Sequence, residues 1–326
     1  MPETDLPQIP PQPSTASNIF LGSHGLRAGW RLLIFFAIVT LLGACALVFL
    51  QPKLLTSLGT DFSAVNVIVQ EVISFSIVLI ATAIMGKFEQ RSLRDYGLPA
   101  RSFLGKQFWA GALWGFVMLS FIVALMAATH SYSAGGLALS TGNVIKYGIL
   151  WAIAFLLVGL FEESAFRGYM LYTLNTGMGF WPAAAITCFL FAGGHISNPG
   201  ENWVGVLEIV LIAIFLCLAL RRTGNLWFAI GWHMAFDWGE SFFYSTPNSG
   251  IQATGHMLRA MLMGSKWLSG GSVGPEASVF DVIVTVAGIL LLAKLYPDAK
   301  YPAVETSRGE ALLTAQTLSV VPPTAS

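Results

Sequence analysis

About eight apolar stretches, each bounded by polar or Gly/Pro-containing sequence, succeed one another between residues 30 and 296. Apolar runs of about 20 residues read as membrane-spanning helices, because a helix satisfies its own backbone polar groups where no water is at hand. Composition points the same way. Charged residues make up 10% of the chain and hydrophobic residues 55%, with a mean hydropathy of +0.68. A soluble domain carries roughly 25% charge. The expected fold class is therefore all-α, a multi-pass membrane helical bundle. It should occupy residues 26–297, with disordered cytosolic tails at 1–25 and 298–326 and no cleavable signal peptide. The expected spans are 30–50, 65–85, 108–128, 143–175, 181–195, 203–220, a seventh from 225, and 278–296. A Gly- and Ser-rich loop precedes the fourth span, and residues 245–277 form a long, Met-rich loop suited to an interfacial or re-entrant position.

The fourth span holds the feature that apolar packing alone does not explain. Residues 149–161 and 168–174 carry no charge, yet Glu162, Glu163 and Arg167 lie between them. Read as one helix, 143–175 would extend ~48 Å and place the carboxylates ~20 Å from its far end. An ionisable group that deep costs ~3 kcal/mol or more and usually serves function. Glu163 and Arg167 are spaced i, i+4 in the favourable order, so a helix salt bridge accounts for one carboxylate. Glu162 is left over.

Three more polar residues interrupt later spans: His195, His233 and Asp237. Counting along each helix, Glu162 and His195 fall in one layer, with His233 somewhat shallower. A single intramembrane His often serves as a helix–helix hydrogen-bonding group. Two of them beside a Glu-Glu pair favour chemistry. Phe191 and His195, like His233 and Asp237, are spaced i, i+4 and share a helix face. Gly193 and Gly194 permit close approach of a neighbouring helix, for tight packing or for a peptide backbone.

Taken together, Glu162-Glu163-x-x-x-Arg167, Phe191-x-x-x-His195 and His233-x-x-x-Asp237 resemble the motif set of the CAAX-protease and bacteriocin-processing (CPBP) family. This family comprises the type II CAAX prenyl endopeptidases and the bacterial Abi proteins. Order, spacing and helix placement match over residues 87–296, and Asp95-Tyr96-Gly97-Leu98 is similar to bacterial members. The last motif ends in Asp237 where the family often has Asn, and an aspartate donates a hydrogen bond only when protonated. The resemblance implies an intramembrane endopeptidase acting on a hydrophobic or lipidated peptide or membrane-protein substrate near the cytosolic face. Its expected catalytic residues are Glu162 as general base, His195 sharing the water, His233 facing the scissile carbonyl, Arg167 holding Glu163 or aiding the oxyanion, and Asp237.

Glu162, His195 and His233 also make an acceptable catalytic zinc set with water as fourth ligand. The His-Glu-x-x-His pattern is absent, and a metal-free glutamate mechanism fits these residues equally. Two other classes share some of these features. A proton- or ion-coupled transporter also buries carboxylates and His, but usually shows internal repeats and broken helices. A non-catalytic immunity or assembly partner could inherit the same fold. Glu208, in the sixth span, fits none of these roles; of a packing hydrogen bond and a place in a cavity wall, the former is expected. Cys45, Cys188 and Cys217 lack metal-ligand spacing and read as packing residues. A formal net charge of zero without a long basic run excludes nucleic acid as an expected partner, leaving the bilayer and a peptide.

Positive charge sets the expected orientation. With the amino terminus in the cytosol, 13 of the 17 Lys and Arg fall on that side, against Lys53, Lys146, Arg259 and Lys266 on the other. Both termini are then cytosolic.

Overall fold

The computed structural model describes residues 19–22, 25–50 and 61–301. The segment around Gln51-Pro52 and most of both expected tails lie outside the described residues. The architecture is an all-α bundle. Helices α1 (Ala28–Phe49), α2 (Ala64–Glu89), α3 (Lys106–Ala128) and α4 (Thr141–Glu163) come first. After α4 the chain passes through a π turn, Ser164–Met170, into α5 (Leu171–Met178). Then follow α6 (Phe180–His195), α7 (Trp203–Thr223), α8 (Trp227–Trp238), the four-residue α9 (Lys266–Ser269) and α10 (Val279–Leu295).

Five helical stretches among the described residues are long and apolar enough to cross a membrane: α1, α2, α3, the run from α4 through α5, and α7. The other three expected spans are helices of 16, 12 and 17 residues. The chain is a multi-pass membrane protein.

The helix ends follow local chemistry. Ser63 accepts from the Asn66 N–H at the start of α2, Asn202 from Val204 at the start of α7, and Ser278 from Asp281 at the start of α10. Gly224, at φ +90°, closes α7 in a left-handed conformation open to glycine. On α1 only Phe35 is fully buried; Leu32, Ile38 and Val39 pack partly against the core, and the exposed face is left for lipid. By contrast α7, α8 and α3 carry the core, with Phe215, Phe228 and Trp232 among its largest buried side chains.

The tightest crossing is between α3 and α8. A methyl group at Gly111, Gly115 or Gly231 would collide with the carbonyl oxygen of Phe228, Trp232 or Phe108 respectively. Small residues at such a crossing let two backbones touch, which is how helices associate where no hydrophobic drive separates them from lipid. This crossing fixes the helix that bears His233.

Three expectations change in detail. The fourth span is not one continuous α-helix: it breaks at Ser164–Met170, where Gly168 leaves helical geometry at ψ −111°. The loop before α4 is partly paired, since Tyr132–Ser133 (β3) lies antiparallel to Met261–Leu262 (β4). Residues 245–277 are thereby tied to that loop, and Trp151 Nε1 adds a bond to the Thr254 carbonyl at 3.0 Å. Near the termini, Leu21–Gly22 (β1) pairs with Gly25–Leu26 (β2), and the N–H groups of Lys300 and Tyr301 bond to the Arg221 carbonyl.

Cys188 and Cys217 are buried free thiols whose sulfurs share a 3.8 Å hydrogen bond, and Cys45 is exposed. Glu208 is fully buried, and its carboxyl group interacts with Thr285 and Asp281 on α10, a packing contact of the kind expected for it.

Candidate active site

The end of α4, its π turn, α6 and α8 meet around six ionisable side chains: Glu162, Glu163, Arg167, His195, His233 and Asp237. Glu163 is fully buried, and its Oε1 accepts from Arg167 Nη1 at 3.1 Å, the i, i+4 bridge expected from sequence. The same oxygen lies 3.1 Å from His233 Nδ1. His233 Nε2, on the far side of the ring, lies 3.5 Å from both Glu162 Oε2 and Asp237 Oδ2. The imidazole is therefore held between three carboxylates, two from α4 and one from its own helix a turn later.

Neighbouring helical residues point about 100° apart, and the two glutamates diverge accordingly. The Glu162 side chain is 20% exposed and the Glu163 side chain 0%. Arg167 is also fully buried, with its guanidinium 4.3 Å over the Phe191 ring. A cation over an aromatic face is attracted by the ring quadrupole, more so when desolvated. Phe191 thus links the α4 bridge to α6, and Phe166 packs on it edge-to-face at 5.1 Å.

His195 sits against the same ring, with centroids 4.6 Å apart. Its Nδ1 is 2.8 Å from the Phe191 carbonyl oxygen. A carbonyl only accepts, so Nδ1 carries the proton and a neutral ring keeps Nε2 as an acceptor. His195 is half-buried, and Gly193 and Gly194 beside it are exposed with nothing within 4 Å of a Cβ added at either. The expected site residues Glu162, Glu163, Arg167, His233 and Asp237 form one contact network, which His195 joins through Phe191.

Among the described residues no group of three or more His, Cys, Asp and Glu has metal-holding geometry. Glu162, His195 and His233 are thus not gathered into a zinc set as placed, although the His195 Nδ1 bond to its own helix leaves Nε2 available to a ligand.

Two acids near the site had no role in the sequence analysis. Glu71, on α2, is close enough to Glu162 and His233 to interact electrostatically, and its buried Oε2 has no hydrogen-bond partner. A lone carboxylate in an apolar span was the signal available for it. Glu276, on the short turn Pro275–Ala277, accepts from Ser249 N and Oγ at 2.8 and 3.1 Å and interacts electrostatically with His195. Burial pushes its carboxyl up from the ordinary range, while the Ser249 bonds and His195 oppose that shift. No sequence pattern marks Glu276, because it reaches the site from a loop more than 30 residues after the last motif.

Residues 144–239 match one protein family, described as type II CAAX prenyl endopeptidase Rce1-like. The match bears out the family resemblance and covers every residue of the three motifs. A comparison with curated proteins found no match.

Proposed function

From a core that matches the type II CAAX prenyl endopeptidase family over residues 144–239, we propose that the chain is an intramembrane endopeptidase that uses Glu162 as general base. The observation that carries this is the asymmetry of the glutamate pair. Glu163 is enclosed and engaged by Arg167 and His233, whereas Glu162 keeps an accessible carboxylate beside the same imidazole.

Hydrolysis of a peptide bond needs an activated water, a donor for the tetrahedral oxyanion and a proton for the leaving amine. In this proposal Glu162 takes a proton from water as the oxygen attacks the scissile carbonyl carbon. The Nε2 acceptor of His195 helps to hold that water. His233, steadied by Glu163 and Asp237, faces the carbonyl and stabilises its developing negative charge. When the C–N bond breaks, the proton held by Glu162 passes to the amine. Arg167, buried under Phe191, acts by holding Glu163 rather than by touching substrate. No step is routed through a metal.

The family description points to a prenylated carboxy-terminal peptide as substrate class, and the membrane setting suits a hydrophobic or lipidated chain. Comparative peptidomics of the native host tests the proposal. A host carrying Glu162→Ala should accumulate an uncut peptide that the wild type processes, and identical peptide profiles would refute it.

A further inference from the structure

The start of α1, the end of α2, the turn after it, the end of α5 and the junction of α7 with α8 enclose a cavity of about 1840 Å³. Five arginines line it: Arg31, Arg91, Arg94, Arg101 and Arg221. Two acids accompany them, Glu89 and Asp95, so five charges against two leave three positive charges in one concavity. Glu89 is already engaged. It accepts from Arg31 Nε at 2.9 Å, Tyr96 Oη at 3.0 Å and Tyr169 Oη at 2.5 Å. Asp95 accepts from the Ser92 N–H and hydroxyl at 2.8 and 3.0 Å.

Three of the arginines are held in place by the fold. Glu89 fixes Arg31, the Arg91 guanidinium lies 5.2 Å over the Tyr172 ring, and that of Arg221 lies 4.6 Å over Phe180 while donating to the Tyr301 carbonyl at 3.2 Å. Arg94 and Arg101 are exposed, and their side chains form no ion pair among the described residues. Guanidinium groups gathered this way suit phosphate, whose oxygens accept paired N–H donors.

The cavity also has an apolar side. Ile34 on α1 and Phe88 on α2 line it and are 41% and 77% exposed, on helices long and apolar enough to cross a membrane. A free phosphate would use only the arginines, while an amphiphile with an anionic head would use both surfaces. Basic pockets between helices at a membrane surface hold anionic headgroups in this manner. We propose that this cavity binds the phosphate headgroup of an anionic membrane lipid, with an acyl chain lying along Ile34 and Phe88. The site is separate from the glutamate–histidine cluster and independent of whether that cluster cuts peptides.

Purified full-length chain in detergent is titrated with phosphatidylglycerol, phosphatidylcholine or inorganic phosphate. Thermal unfolding and native mass spectrometry then report binding. Phosphatidylglycerol should raise the unfolding temperature and remain attached, and the other two should not. Arg94→Gln combined with Arg101→Gln should weaken that response about tenfold or more. Its unfolding temperature without lipid should stay unchanged, because both side chains are exposed. An equal response to phosphatidylcholine, or a double variant that binds phosphatidylglycerol like the wild type, would overturn the proposal. Inorganic phosphate reproducing the whole effect would overturn the lipid assignment in favour of a free anion.

Discussion

Glu163 Oε1 faces two donors at once, Arg167 and His233, in a setting with no solvent access. Removing its charge would strand Arg167 in a low-dielectric interior. Breaking a buried pair by losing one partner costs about 3 kcal/mol or more. We expect Glu163→Gln to lower thermal stability by roughly that amount while keeping part of the turnover. Adding Arg167→Met should recover much of the loss, since the two side chains form one unit in a double-mutant cycle. Unfolding measurements on the two single variants and the double variant check this. A Glu163→Gln protein as stable as the wild type would remove Glu163 from its positioning role. At this scale much was legible, because Glu162, Glu163, Arg167, His195, His233 and Asp237 all stand out as polar residues in apolar runs at helical spacings. What was not legible is which atoms meet. Both His233 nitrogens being faced by carboxylates depends on how α8 docks on α4, and that docking is set by packing partners far apart in the chain.

The elements were legible where apolar length is the signal. Ends moved by only a few residues, as at α2, which runs on to Glu89. The π turn at Ser164–Met170 was not legible, because a wider turn leaves composition unchanged and merely rotates the register of the helix beyond it. It lies directly after the glutamate pair and contains Arg167 and Tyr169, two residues with distant partners. π turns often mark functional sites. The α3–α8 crossing was hidden for a related reason, since a glycine reads as a helix weakener until its opposite number is known. Gly115→Leu would force backbones apart where the Trp232 carbonyl now sits. Overpacking a close interface costs typically 1–3 kcal/mol, so we expect a lower unfolding temperature. Turnover should fall with it, as His233 moves with α8. Thermal unfolding in detergent, paired with an activity assay, reads both. A stable and fully active Gly115→Leu variant would show that this crossing does not fix the site.

For the whole molecule, the central question is which side of the membrane each end faces. From the Lys and Arg counts we propose that both termini and the turn after α2 face the cytosol. The fold gathers Arg31, Arg91, Arg94, Arg101 and Arg221 around one cavity, and ties residues 245–277 to the loop before α4. Cysteine-accessibility labelling of Ser249→Cys and Ser272→Cys should find both positions on the side opposite the termini, and cytosolic labelling of either would reverse the orientation. The claim on which the rest depends is that the accessible glutamate does the chemistry. Its most direct measurement is turnover of a farnesylated carboxy-terminal peptide by purified wild type and Glu162→Gln, with products identified by mass spectrometry and folding checked by thermal unfolding. Loss of a general base typically costs 10²- to 10⁴-fold, roughly the deficit expected here. The account predicts cleavage by the wild type and near-absence of product from a Glu162→Gln protein that unfolds at the wild-type temperature. Cleavage by Glu162→Gln at the wild-type rate would contradict it.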